Sequence, residues 1–295
     1  MRASTKRILK QEAKGVAYTL PALVLLVLFT IYPMIDALIT SFYNWNLTSR
    51  KRFIGFYNYQ KLLGSSEIYQ TIGQTLQYVA IVLPATLIFG FLLALLLKKA
   101  SKTNVVFRTL LFTPRVSSMV AMSAVWLYIY NPQYGLLNNM LSALGLSPIR
   151  WLNDTSSALP SLAFITIWRM LGYSVVVYLG GIQNISSEIM EAARIDGAGS
   201  LRTTWNIIVP LVSPTTFMLL ILNTIEVFKL FTTINVMTEG GPAKSTQNLV
   251  VMLYEYGFKK FQLGYASAIA VILFLLILAI NVIQLSLEKH VNYDT

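Results

Sequence analysis

Six apolar runs, each long enough to cross a bilayer, constrain this chain more than any other feature. They lie near residues 16–42, 74–97, 108–130, 159–182, 208–234 and 265–287, close to the ~20 residues that a helix needs to span hydrocarbon. No water is available there to satisfy backbone N–H and C=O groups, so such runs must close their hydrogen bonds within themselves as helices. The fold class that follows is an all-α polytopic membrane protein with six transmembrane helices. Charge agrees: 12% of the 295 residues are Asp, Glu, Lys or Arg and 55% are hydrophobic, where a soluble domain carries about 25% charged residues.

The same composition removes several function classes. A net charge of +11 raises nucleic acid as a partner. The basic residues, however, flank apolar runs and do not form an aromatic-laced patch, which is the pattern of membrane topology and not of nucleic-acid binding. There is no cysteine, and the one histidine, His290, lies in the C-terminal tail. Thiolate metal sites, disulfides and histidine-based triads therefore lack material. No G-x-x-x-x-G-K-[ST] phosphate loop occurs, so the chain is not expected to bind ATP that way, and no intramembrane His/Asp cluster suggests a protease or hydrolase. Any hydrolysis must come from a partner.

Loop charges set the expected orientation. Arg2, Lys6, Arg7, Lys10 and Lys14 precede the first run, and Lys98, Lys99, Lys102 and Arg108 crowd the short second loop. The longer 131–158 loop holds only Arg150. Arg50, Lys51, Arg52 and Lys61, and later Lys244, Lys259 and Lys260, run against the trend, but short loops close to span ends weigh most. A cleaved signal peptide is the alternative for the first run, but the run is too long and lacks a clear small-x-small cleavage site, so an uncleaved first span is expected. The expectation is a cell-membrane protein with both termini cytoplasmic. It comprises a tail at 1–16, a first helix and outer loop at 17–71, a core at 72–287 and a tail at 288–295. The 183–206 loop is then cytoplasmic.

That loop opens a polar island from Ser186 to Pro214. Ser187 can cap a short helix whose first turns hold Glu188 and Glu191, where the helix dipole favours negative charge. Gly197 can take the left-handed conformation that stops it, and Ser200 can cap a second helix running toward Pro210. Ile189 and Met190 give the first helix an apolar ridge, while Ala192 and Ala193 leave it thin, a shape suited to a partner's groove. Glu191-Ala192-Ala193, Asp196-Gly197-Ala198, Ile207, Val209-Pro210 and Pro214 resemble the EAA loop of ABC-importer permeases, with Val-Pro where that family often has Leu-Pro. The wider resemblance is to carbohydrate permeases of the binding-protein-dependent (MetI-like, maltose-permease-type) superfamily. Phe53-Ile54-Gly55-Phe56 with Asn58-Tyr59 is similar to a stretch after that family's first helix. Asn131-Pro132, Gly135 to Asn138, Leu144-Gly145 and Trp151-Leu152 resemble its third loop. Thr238 to Pro242, Thr246, Tyr254, Phe258 and Gly264-Tyr265-Ala266 resemble a stretch typical of sugar permeases.

The resemblance implies a MetI-like permease core with a cytoplasmic coupling helix that docks into the ATPase. Glu191 would pin the loop, Gly197 would allow its turn, and Ile189, Met190 and Ala193 would fill the ATPase groove. It further implies a second homologous permease subunit, two copies of a cytoplasmic ABC ATPase holding ATP and Mg, and an extracytoplasmic sugar-binding protein, with no cofactor on this chain itself. The N-terminal helix would embrace a partner.

Ionisable residues inside spans normally face protein or water, because each costs at least ~2.5 kcal/mol at the centre of a lone helix. Asp36 and Arg115 lie toward span ends, where snorkelling is cheap. Arg169, Glu226 and Lys229 lie deeper, and the i,i+3 spacing of Glu226 and Lys229 allows them to pair. Sugars bind through hydroxyl hydrogen bonds and aromatic faces. Tyr173, Asn223, Glu226 and Thr232 supply such groups, and Tyr173 and Asn223 fall where the resemblance places a substrate path. The charges leave open a stand-alone secondary transporter or channel that uses them for ion coupling. A membrane scaffold that only presents its cytoplasmic loop is a second alternative. Downstream of Pro242, the NLVVMLYEYGFKKF run spaces its apolar and aromatic residues as a helix at the outer interface.

Overall fold

The structure, a computed structural model, describes Val16 and residues 18–288. The basic N-terminal residues Arg2 to Lys14, most of the expected tails at 1–16 and 288–295, and His290 lie outside them. Among the described residues five helices are long and apolar enough to cross a membrane, or six if one sharply bent pair counts as a single span. The described residues form two compact units, one of those up to 64 with 253–272, the other of 65–252 with those from 273 onward.

The first unit is built from helix α1, Tyr18–Thr40, and a short antiparallel ribbon. In α1, Pro33 has no N–H to give to Phe29, and the turn there widens into a π-helical stretch over Val27–Ile31. Strands β1 (Tyr43–Asn44) and β2 (Arg52–Phe53) pair Tyr43 with Phe53 and Asn44 with Arg52. Helix α2 (Tyr57–Leu63) follows. Buried Asn58 holds the ribbon by donating to the carbonyls of Ser41 and Tyr43 at 2.8 and 3.0 Å. Phe42 and Phe56 meet edge to face at 5.3 Å. Gly264 lies so close to this ribbon that a Cβ would come within 1.8 Å of the Tyr43 carbonyl oxygen.

The second unit carries the long α3 (Ser66–Leu97), then α4 (Lys102–Val116) and α5 (Met119–Ile129), α6 (Leu136–Ala143) and α7 (Ala158–Gln183). Next come α8 (Ser187–Ile195), α9 (Ser200–Thr203), a π-helical turn at Thr204–Ile208 and the short α10 (Val209–Leu211). Then come α11 (Ser213–Phe228), α12 (Thr232–Met237), α13 (Leu249–Tyr254) and α14 (Leu263–Leu287), whose later half belongs to this unit. Helix α7 is its axis: 56% of its apolar stretch is buried, against 28% for α3. Tyr78 on α3 bridges to it, its hydroxyl 2.6 Å from Thr166 Oγ1 and donating to the Leu162 carbonyl at 3.0 Å. Around them Val82, Ile165, Met170, Val227 and Ile234 form the apolar core.

Three spans depart from the sequence reading. The 108–130 run is not one helix: α4 and α5 meet at a bend of 103°. Pro114 removes one backbone donor, Ser117 and Ser118 take extended backbone, and α5 restarts with Ser118 as its N-cap. The second run begins earlier than expected, at Ser66. The fifth is interrupted near its start: Pro210 cannot donate to the Asn206 carbonyl, the preceding turn widens into the π-helical stretch, and after the short α10 the chain leaves helical geometry at Val212 before α11 begins at Ser213. The NLVVMLYEYGFKKF run is helical from Leu249 to Lys259, as its spacing predicts, with a π-helical end.

The 131–158 loop is organised by one amide. Asn138 is buried, and its Nδ2 donates to the carbonyls of Pro132 and Ile149 at 3.0 and 2.9 Å. Its Oδ1 accepts from the Ile149 N–H and from Trp151 Nε1 at 3.1 and 2.9 Å. Every polar position of this side chain is used.

The packing of α4 on α7 depends on Gly172, where a Cβ would sit 2.1 Å from the Leu111 carbonyl oxygen. That oxygen is backbone and cannot turn aside. Gly172→Ala is expected to destabilise the protein by about 2 kcal/mol or more, the usual scale of overpacking. A fall in thermal stability of the purified protein in detergent checks this, and an unchanged melting point refutes it.

Candidate functional site

Two features of the second unit combine exposure with chemistry: a charged cavity midway along the fifth span, and the helix that follows the fourth. The cavity, of about 370 Å³, is lined by Met119, Arg169, Ile225, Glu226, Lys229 and Thr232 among others. It opens where the span is interrupted. Helix α11 ends at Phe228, Lys229 is its C-cap, and α12 begins only at Thr232. The interruption exposes backbone carbonyls, and one of them, on Leu230, accepts from buried Asn248 Nδ2 at 2.5 Å. Asn248 Oδ1 in turn accepts from the Val251 N–H at 2.9 Å and so starts α13.

Glu226 is the centre of the charge arrangement. Its Oε1 accepts from Arg169 Nη1 at 3.2 Å and also from Arg115 Nη1. Each of the three side chains is only about a quarter exposed, at 25%, 22% and 26% for Arg115, Arg169 and Glu226, so the pairs are weakly screened. The Arg115 guanidinium also stands 5.1 Å from the Tyr173 ring centroid, within cation–π reach. The expected Glu226–Lys229 pair does not form: the carboxylate turns to two arginines on other helices instead. Arg115 is therefore a partner in this cluster and not a snorkelling residue at a span end.

The four residues read from sequence as path-lining are placed differently from one another. Glu226 and Thr232 line the cavity. Tyr173 stands beside the cluster under Arg115. Asn223 is buried with Nδ2 3.4 Å from Ser174 Oγ; it faces α7 and ties the two helices together. Among the described residues Asp36 is near only one cation, Lys51 at 3.7 Å, in an exposed pair of little energetic weight.

The loop helix α8 is capped at both ends. Ser186, one residue before the serine expected from sequence, is the N-cap, and its Oγ accepts from the Glu188 N–H at 3.2 Å. At the other end Gly197 takes φ +70°, the Gly197 N–H donates to Arg194 and the Ala198 N–H donates to Ala193, at 3.1 and 2.9 Å. This 6→1 and 5→2 pattern satisfies the last carbonyls. Ser200 opens α9 from inside, with Gly199 as the cap. Ile189, Glu191, Ala192 and Asp196 are exposed, and Met190 is half-buried. Ala193 is buried, so it packs inward and cannot fill a partner's groove as expected. Ile195 and Leu201, 86% and 77% exposed, stand out instead. Neither was singled out from sequence, although two apolar residues flanking a glycine cap in a polar loop were the available signal.

Comparison with known proteins completes the description. A family profile for binding-protein-dependent transport system inner membrane components matches residues 86–293. The chain is 35% identical over 277 residues to the probable ABC transporter permease protein YurN of Bacillus subtilis, covering 92% of this chain and 94% of that one. It is 34% identical over 278 residues to the multiple sugar-binding transport system permease protein MsmF of Streptococcus mutans, covering 93% and 95%. In fold it matches a subunit of a bacterial ABC transporter involved in the import of the acidic polysaccharide alginate. There the TM-score is 0.87 over 98% of this chain and 99% of that one, at 22% identity.

Proposed function

The chain belongs to the family of binding-protein-dependent transport system inner membrane components, and from that membership we infer that it is the permease subunit of an ATP-driven importer of sugars or oligosaccharides. The observation that carries the reading is its nearly full-length kinship with ABC permeases, one of them from a sugar-binding transport system. The chain is a multi-pass membrane protein and a permease, not an ATPase. One copy forms half of a translocation path and a second, homologous permease forms the other half. Two copies of a cytoplasmic ABC ATPase hold ATP and Mg²⁺ and supply the hydrolysis, and an extracytoplasmic sugar-binding protein delivers the substrate. Both termini lie in the cytoplasm with the 186–214 loop.

In this reading α8 is the coupling helix. Closure of the nucleotide-binding dimer moves it as a rigid body and reorients the spans between outward and inward access. Its double capping supports rigid-body movement, because neither end can fray without losing a hydrogen bond. Ile189, Met190 and the newly exposed Ile195 form the apolar contact with the ATPase. Glu191, Ala192 and Asp196 are its polar and thin faces, Gly197 and Ala198 set its turn, and Pro210 starts the return into the membrane. The path runs past Glu226, Thr232 and Tyr173, with Asn223 holding α11 against α7. An ion-coupled secondary transporter has less support, since its candidate coupling group, Glu226, is already engaged by two arginines.

ATP hydrolysis by the purified complex in lipid tests this, with and without loaded binding protein. Glu191→Ala is expected to lower the stimulated rate about fivefold or more, the low end of inter-site coupling, with the permease still in the complex. Uptake driven by ion gradients alone, with no copurifying ATPase, overturns the reading.

A further inference from the structure

The charged cavity does not balance its own charge. Arg169, Lys229 and Glu226 line it, and Arg115 reaches the same carboxylate from α4, so three cations stand against one acidic group. Both guanidiniums converge on the same oxygen of that carboxylate, and among the described residues no other acidic group comes within ion-pair distance of any of the three cations. Among the described residues Lys229, exposed on the cavity wall, has no ion pair, and the buried Arg169 Nε has no hydrogen-bond acceptor. Helix α11 ends beside Lys229 and offers partial negative charge of about half a unit there. That offsets only part of an excess of two positive charges, near the middle of an apolar span where unpaired charge is unfavourable.

We propose that the acidic group of an anionic sugar, a carboxylate, phosphate or sulfonate, completes this cluster at Lys229 and Arg169, so that the importer's substrate is an acidic and not a neutral carbohydrate. The inference rests on the importer reading above and deepens it. Glu226 draws both guanidiniums to one carboxylate oxygen. Lys229, on the unwound segment between α11 and α12, brings a mobile ammonium with three donors to an oxyanion. The cavity volume suits one charged sugar ring and its immediate neighbours. Thr232, opening α12 on the same wall, is placed to meet a hydroxyl of that ring. Lys229 is then the specificity-determining residue of this chain. A neutral sugar would leave the ammonium, exposed on the cavity wall, without a counter-charge, and a site built to pair a polar group discriminates against a ligand that lacks it.

The test uses the whole transporter in lipid with its binding protein. ATP hydrolysis is titrated with three probes: cellobiose, cellobiouronate and glucose 6-phosphate. An acidic probe is expected to stimulate the wild type and cellobiose to do so weakly or not at all. Lys229→Met should raise the half-saturating concentration of the acidic probe about tenfold or more, equivalent to about 1.4 kcal/mol, while Lys229→Arg should restore it. Stimulation of the wild type by cellobiose as strong as by the acidic probes overturns the charge assignment and leaves the importer reading standing. Loss of the second permease from the Lys229→Met complex on size exclusion also overturns it, because the missing counter-charge is then a partner carboxylate. Absence of stimulation by any sugar overturns both readings.

Discussion

Gly197→Pro is expected to leave the permease in the membrane and abolish both transport and binding-protein-stimulated ATP hydrolysis. Gly197 adopts φ +70°, and proline is confined to φ near −65°. Proline also removes the N–H that Gly197 gives to Arg194. The cap therefore fails twice, and the chain must leave α8 at another angle, carrying Ile195 and Ala198 away from their places. Gly197→Ala separates the two causes. A Cβ at this position meets nothing within 4 Å, so alanine adds no clash and keeps the N–H; only the left-handed backbone is penalised, by about 1 kcal/mol. A graded series follows, with alanine retaining much of the stimulated rate and proline none. Membrane content by immunoblot and hydrolysis in proteoliposomes measure it. Normal uptake by the proline variant would remove α8 from any coupling role.

Glu226→Ala is expected to be the most destabilising single change in the charged cluster. It leaves the Arg115 and Arg169 guanidiniums side by side with no carboxylate between them. Breaking a buried ion pair by removing one member costs about 3–5 kcal/mol. The three side chains are about a quarter exposed, which places the loss near the lower end. By contrast, replacing all three together with Met, Met and Leu of similar volume should leave stability nearly unchanged, since the desolvation of all three charges disappears with them. The melting temperature of the complex in nanodiscs reads both variants. A single variant as stable as the wild type, or a triple variant as unstable as the single one, contradicts the cluster described above.

Hydropathy made the spans legible, because a bilayer imposes one length and one composition on every crossing helix. It could not give direction. The apolar pattern runs without interruption through Ser117 and Ser118, and only Pro114 and the paired serines hinted that α4 and α5 part there. Side-chain pairing was the least legible property. Spacing along one helix suggested Glu226 with Lys229, but Arg115 lies on α4 and Arg169 on α7, and nothing local records that tertiary meeting. Asn223 was read correctly as a polar residue in an apolar run, yet burial against Ser174 and a place on an open wall have the same sequence signature. The loop helix was readable to within one residue, since caps and glycine turns are local chemistry. Its inward face was not, which is why Ala193 was assigned outward while Ile195 passed unnoticed.

The bent pair bears on how the protein is made. Helices α4 and α5 have 15 and 11 residues, about 22 Å and about 16 Å of helix, and neither alone reaches across ~30 Å of hydrocarbon. The non-helical backbone at Ser117–Ser118 tolerates that depth only against protein or water. Helix α4 just before it packs on α7, through the close approach of Gly172 to Leu111, and α7 is translated later. A nascent chain ending before residue 158 therefore carries a third segment that cannot settle in lipid, and the insertion machinery must shelter it until the fourth emerges. Translation order and membrane-integration order diverge at this one point in the chain.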